Sequence, residues 1–170
     1  HMTETAAAGM ISLILVGWAV GSPIWGGFSD RVARRLPPMV IGAIVAPLTL
    51  LVTIYYHFSS IFVLQLCLFA FGFFSSAFLP SFSIAREISK PDYCATSLGF
   101  MNMMNMIGVS IAQPLLGKIL DSLWSGNLSH GIRVYALADY RIAITLMITI
   151  MMITLLLLPF IKDTYAKQSA

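Results

Sequence analysis

Apolar runs of about twenty residues recur five times along this chain of 170, and they leave it few ways to fold. At 1.5 Å per residue, twenty helical residues cross the roughly 30 Å hydrocarbon layer of a membrane. Hydrophobic residues make up 58% of the chain and charged ones only 10%, with a mean hydropathy of +0.87, well outside the range of soluble domains. The expectation is an all-α polytopic membrane protein: one membrane domain, 1–170, with five transmembrane helices over 6–28, 38–56, 60–85, 95–120 and 141–161. The net charge of +3 then reads as the lysine and arginine excess of loops, not a nucleic-acid surface, because no basic patch alternates with aromatics.

Between the first two runs stands the densest group of charges, Gly26-Gly27-Phe28-Ser29-Asp30-Arg31-Val32-Ala33-Arg34-Arg35. Four charges buried in lipid would cost many kcal/mol, so this turn belongs at a water interface. Gly17 and Gly21 form a small-xxx-small pattern that lets helices approach closely, and Trp25 is expected near the interfacial level. Pro37-Pro38 suit a helix start, Thr96 or Ser97 could cap the fourth segment, and Pro47, Pro80 and Pro114 should bend their helices. Residues 121–140 form the longest polar stretch and contain a glycosylation sequon, Asn127-Leu128-Ser129. Cys67 and Cys94 lie roughly 30–40 Å apart by helical rise and should be free thiols.

Charge also orients the chain. Arg31, Arg34, Arg35, Arg86, Lys90, Lys162 and Lys167 fall on one side of the five spans, and Lys118, Arg133 and Arg141 on the other. The richer side is cytoplasmic by the positive-inside rule. The C-terminus is then inside and the N-terminus outside. No signal peptide is evident at the outside start, which leads us to expect that further spans precede it.

Periodicity picks out two polar stripes. Asn102, Asn105, Val109 and Gln113 share one face of the fourth span, and Gln65, Gly72, Ser76 and Ser83 share one face of the third. Amides and hydroxyls inside a membrane face a bundle interior or a water-filled cavity. The stripes are thus either the hydrogen-bonding wall of a solute path or interhelical contacts worth about 0.6 kcal/mol each. Gln65, Ser76, Asn102, Asn105 and Gln113 are the candidate substrate-binding residues. Without a buried charge, such a wall suits a neutral or zwitterionic small-molecule solute. Met101, Met103, Met104 and Met106 point around the helix and read as gap-filling and lipid contact instead of a soft-metal site. Every acid lies at a helix end or in a loop, which leaves no midplane carboxylate for proton coupling. Neither His-Glu-x-x-His nor Gly-x-Ser-x-Gly occurs, and His1, His57 and His130 stand at ends or in loops, so no enzyme, cofactor or metal is expected.

The charged turn resembles the loop signature of the major facilitator superfamily of secondary transporters, Gly-x-x-x-Asp-Arg/Lys-x-Gly-x-Arg/Lys-Arg/Lys. Gly26, Asp30, Arg31 and Arg35 match it, and Arg34 adds a charge. Ala33 stands in place of the second glycine and Leu36 in place of the last basic residue. Arg86–Gly99, Gly99-Phe100-Met101-Asn102, Pro114-Leu115-Leu116-Gly117 and Leu120-Asp121 resemble helices ten and eleven of that family. The resemblance implies a partial six-helix bundle, helices eight to twelve of a permease that rocks between two bundles, lacking its N-terminal half. Placement as helices two to six fits the same topology, and the short polar tail after Lys162 favours the former. It further implies that Asp30 locks the cytoplasmic face by meeting the Tyr93–Ser97 helix start and Arg86, with Glu87 meeting Arg31 or Arg35. A bacterial inner membrane is the expected location. The alternative to a transporter segment is a five-helix truncated paralogue serving as a membrane scaffold.

Overall fold

The computed structural model describes residues 4–58, 60–129 and 132–165. Lys167, His1 and His130, which entered the charge count and the search for catalytic groups, lie outside them. Among the described residues there are six α-helices: α1 (Glu4–Val32), α2 (Leu36–Tyr55), α3 (Ile61–Ser75), α4 (Pro80–Glu87), α5 (Cys94–Leu123) and α6 (Leu137–Leu157). A 3-10 turn at Ser76–Phe78 joins α3 to α4, so these two make one span. Among the described residues, five helical stretches are long and apolar enough to cross a membrane: Ala8–Val32, Leu36–Tyr55, Ile61–Glu87, Pro91–Leu123 and Leu137–Phe160.

The boundaries differ from the sequence reading for local reasons. α1 does not stop at Phe28 but continues through Asp30 to Val32, so the first charges belong to its last turn. Pro37 and Pro38 sit in the first turn of α2, where a missing N–H costs nothing. Pro47 and Pro114 lie inside α2 and α5, whereas Pro80 opens α4 just after the 3-10 turn, so the third span is broken and not merely bent. α5 is not capped by Thr96 or Ser97. It starts from a 3-10 turn at Pro91–Tyr93, and Ser97 Oγ accepts a 2.6 Å bond from Ser89. The long polar stretch is shortened from both ends by α5 and α6, leaving a two-residue antiparallel pairing of Leu128–Ser129 with Ile132–Arg133. At the start of α6, Asp139 Oδ2 accepts the Ala136 N–H at 2.8 Å.

Close approach of α1 to α3 organises the bundle. A Cβ at Gly17 would lie 2.1 Å from Phe69 O, and one at Gly72 would lie 1.9 Å from Ile14 O. Only glycine permits that contact, in which backbone packs directly on backbone. Trp25 fills the same seam. It is buried against Phe73 and Phe74, and its Nε1–H donates to Phe73 O at 2.8 Å. Next to it α2 packs on α3 and on α6. Met39, Ile84 and Leu158 form a buried cluster at one end, bringing the starts of α2 and the ends of α4 and α6 together. α5 rests on α4 and α6 and has no buried residue. Cys67 and Cys94 are free.

Candidate gating site

Above that apolar cluster, three separate chain ends meet at one arginine. α1 finishes with Ala33 N–H bonded to Asp30 O at 3.2 Å and Arg34 N–H bonded to Ser29 O at 3.3 Å. Ala33, at the position where the loop signature has glycine, takes φ 53, a left-handed conformation disfavoured for a residue with a Cβ. That reversal brings Arg35 back under the helix it follows. Arg35 is 7% exposed, and Ser29 beside it is 1% exposed.

The Arg35 guanidinium makes four hydrogen bonds to three side chains. Nη1–H donates to Asp30 Oδ1 at 2.5 Å and to Ser29 Oγ at 3.0 Å. Nε and Nη2 both donate to Glu87 Oε1, at 3.0 and 2.5 Å. Ser29 in turn donates its hydroxyl to Arg34 O at 3.0 Å. From the far end of the chain, the Thr164 hydroxyl donates to Glu87 Oε2, and Asp163 Oδ1 accepts the Arg35 backbone N–H at 3.0 Å. Arg35 has no side-chain cap of its own for α2, so Asp163 performs that capping. Arg34 lies 5.3 Å from the centre of the Tyr165 ring.

Hydrogen bonding to Glu87 raises the Arg35 pKa above its ordinary value, working against burial, which alone would lower it; the bond to Asp30 acts in the same direction as Glu87. The two carboxylates differ in setting. The Asp30 side chain is 70% exposed and that of Glu87 only 11%. Glu87 is therefore the less solvated partner, and its loss should cost more than the loss of Asp30.

These pairings differ in part from those expected. Among the described residues Asp30 has Arg35 as its ion-pair partner, not Arg86, which is exposed. Glu87 meets Arg35 and not Arg31. Arg31 and Arg34 are exposed, and a Cβ at Gly26 would meet nothing within 4 Å. The first turn of α5 is tied to the end of α4 through Ser89 and Ser97. A crevice of about 400 Å³, lined by Ile88, Ser89, Tyr93, Ser97, Phe100 and Met101, flanks that turn, where Cys94 sits. Ser29, Asp163, Thr164 and Tyr165 were not anticipated. An Asp beside a hydroxyl residue just past a helix is capping chemistry, the one signal that pointed to them.

The polar stripes are placed differently from the charges. Ser76 is fully buried and donates to Phe73 O at 2.8 Å, and a Cβ at Gly21 would lie 2.3 Å from its hydroxyl. In this chain it packs α3 on α1 and does not face open space. Gln65 and Asn105 are half-buried, and Asn102 and Gln113 are exposed on α5. Because α5 rests on α4 and α6, its stripe does not lie against that of α3.

The chain matches the family model of the Major Facilitator Superfamily over residues 1–170. It is 30% identical over 167 residues to the cercosporin MFS transporter CTB4 of Cercospora nicotianae, an alignment covering 95% of this chain. The chain spans 29% of that relative's length. No solved structure matches it.

Proposed function

The chain belongs to the Major Facilitator Superfamily, and we propose that it supplies the cytoplasmic lock and part of the solute path of a secondary transporter for a small organic solute. The observation that carries this reading is the buried Arg35, held at once by Asp30 from α1, Glu87 from α4 and Asp163 from beyond α6. A buried charge cluster built across three chain segments is suited to being made and broken as a unit, and alternating access needs such an element. The relative's name couples that protein to cercosporin, which supports an organic solute in general and no particular one here.

On this reading the five spans act as helices eight to twelve of a larger carrier, and transport requires the rest of the bundle pair. The absence of any buried residue on α5 supports that requirement, since its polar stripe of Asn102, Asn105 and Gln113 forms a cavity wall only when other helices face it. Gln65 joins that wall from α3, whereas Ser76 is already used in packing. The Arg35 cluster lies at the cytoplasmic face, with the tail inside, because it gathers the cations of the richer side. The proposed location is an integral membrane one. The bacterial inner membrane gains no support from a match to a Cercospora nicotianae protein.

The test is a vesicle assay on the membrane polypeptide that carries this chain, in a Cys67→Ala background. Glu87→Gln should raise labelling of Cys94 by a membrane-impermeant thiol reagent in inside-out vesicles. It should also slow exchange of a retained organic solute at unchanged protein abundance. Unchanged labelling with unchanged exchange refutes the lock. An immunoblot against the tail separates the scaffold reading: a band near 18.6 kDa favours a five-helix assembly partner, and one well above it favours a whole carrier.

A further inference from the structure

We infer that the α1–α2 loop and Glu87 form a binding site for the chain's own segment Asp163-Thr164-Tyr165, and that occupancy of this site holds the lock closed. This rests on the lock reading above. Arg35 and Glu87 would make an ion pair without the tail, and the tail adds a hydrogen bond to each. The Arg35 N–H opens α2, where the sequence Arg35-Leu36-Pro37-Pro38 brings no capping side chain, and Asp163 Oδ1 accepts it at 3.0 Å. Glu87 uses Oε1 for both guanidinium contacts, and Oε2 takes the Thr164 hydroxyl.

The segment is shaped for this position. Asp163 Oδ1 also accepts the Tyr165 N–H at 3.2 Å, and Tyr165 has φ 50, so the chain turns sharply and sets its ring beneath Arg34 at 5.3 Å. Asp163 and Thr164 are half-buried, although they follow the last helix and carry no apolar side chain. Leu158, 5% exposed in the cluster with Met39 and Ile84, fixes the point from which the segment departs. Releasing the segment leaves the α2 N-terminus uncapped and removes a donor from the most buried carboxylate of the cluster. The loop and the end of α4 then part more readily. Anything that draws the tail away, a partner protein or a modification of Thr164, would act as an opening signal on the carrier.

Two readouts in inside-out vesicles test this. Trypsin cleavage after Lys162 reads docking of the segment, followed by mass spectrometry of the released peptide beginning at Asp163. Labelling of Cys94 in the Cys67→Ala background reads the lock. Thr164→Val combined with Asp163→Ala should speed both roughly fivefold or more, as expected for the loss of one cap and one hydrogen bond to a charged group. Thr164→Ser alone keeps the hydroxyl and should behave as the wild type in both. Cleavage equally fast in wild type and double variant overturns the docking. Faster cleavage with unchanged labelling, where Glu87→Gln does raise labelling, overturns the latch and leaves the lock standing. If Glu87→Gln leaves labelling unchanged too, it is the lock itself that fails.

Discussion

Two acid–base clusters close the two ends of this bundle, and they use nearly the same chemistry. At one end Arg35 binds Asp30 and Glu87; at the other Arg133 Nη1 donates to Asp121 Oδ1 at 2.6 Å, where Tyr135 also donates at 2.6 Å. Burial separates them. The side chains of the Arg35–Glu87 pair are 9% and 11% exposed, against 50% for both members of the Arg133–Asp121 pair. So does reach along the chain. Arg35 finds partners 52 and 128 residues away, whereas Asp121 finds them 12 and 14 away, within one hairpin. A solvated local pair braces the loop that contains it and is worth little. A buried pair drawn from distant segments ties helix ends together and cannot be broken halfway without leaving a charge unpaired. The first kind shapes a loop and the second makes a switch.

The largest effect should come from removing the two arginines in turn. Arg35→Met breaks the little-exposed Arg35–Glu87 pair, and the expected loss is about 3–5 kcal/mol of stability. Arg133→Met removes a contact that is half in water, and no change in melting temperature should be resolved. Thermal unfolding of both variants in the same detergent checks the contrast. Equal midpoints would mean that the Arg35 cluster is as solvated as the hairpin, and the switch reading would lose its physical basis.

How far these clusters could be read from the sequence follows from the same difference. The spans were legible because lipid demands apolar length, and close packing on α1 was legible because Gly17 and Gly21 announce it, although not that α3 is the partner. Arg34 and Arg35 of the charged turn do stand between two spans, whereas Asp30 and Arg31 belong to the last turn of α1. Its wiring was legible only in part: Arg35 is one of the two arginines expected for Glu87, but Asp30 pairs with Arg35 instead of Arg86. Asp30 and Arg31 are adjacent and so point in different directions on one helical turn, and which arginine returns to Asp30 is decided by the left-handed Ala33. Nothing in the spacing signals a positive φ at an alanine. The tail was the least legible part, since Asp163 and Thr164 look like any solvated ending until their partners, 128 and 77 residues earlier, are known. The polar stripes were legible as pattern only. A period locates a face, but whether Ser76 packs or lines a path depends on which helix lies opposite.

A smaller effect, of opposite sign, sharpens the account of that loop. Ala33→Gly removes the left-handed penalty at φ 53 and should stabilise the folded protein by up to about 1 kcal/mol, net of the greater freedom glycine has when unfolded. The same change should slow Cys94 labelling slightly, because the turn that aims Arg35 becomes easier to hold. Destabilisation on Ala33→Gly would show that the methyl group contributes packing that outweighs the strain.

Titration reads the smallest effect, at the solvated end. The hydrogen bond to Asp121 raises the Tyr135 pKa above its ordinary value, and Arg133 partly opposes this. A group with a raised folded pKa contributes its stabilisation fully below the unfolded value, near pH 10, and loses it as pH climbs through the folded value. The hairpin should therefore be intact at neutral pH and loosen only in strong alkali. Arg35, also raised but buried, stays charged throughout that window. Phenolate absorbance, taken as the difference between wild type and Tyr135→Phe, should titrate above the ordinary tyrosine range. In Asp121→Asn the midpoint should fall back toward that range, with no change in Cys94 labelling at the other end. A Tyr135 midpoint that ignores Asp121→Asn would mean the hairpin contact is not made in water. A labelling change in that variant would mean the two ends are coupled through the bundle, and the division between a local brace and a long-range switch would have to be redrawn.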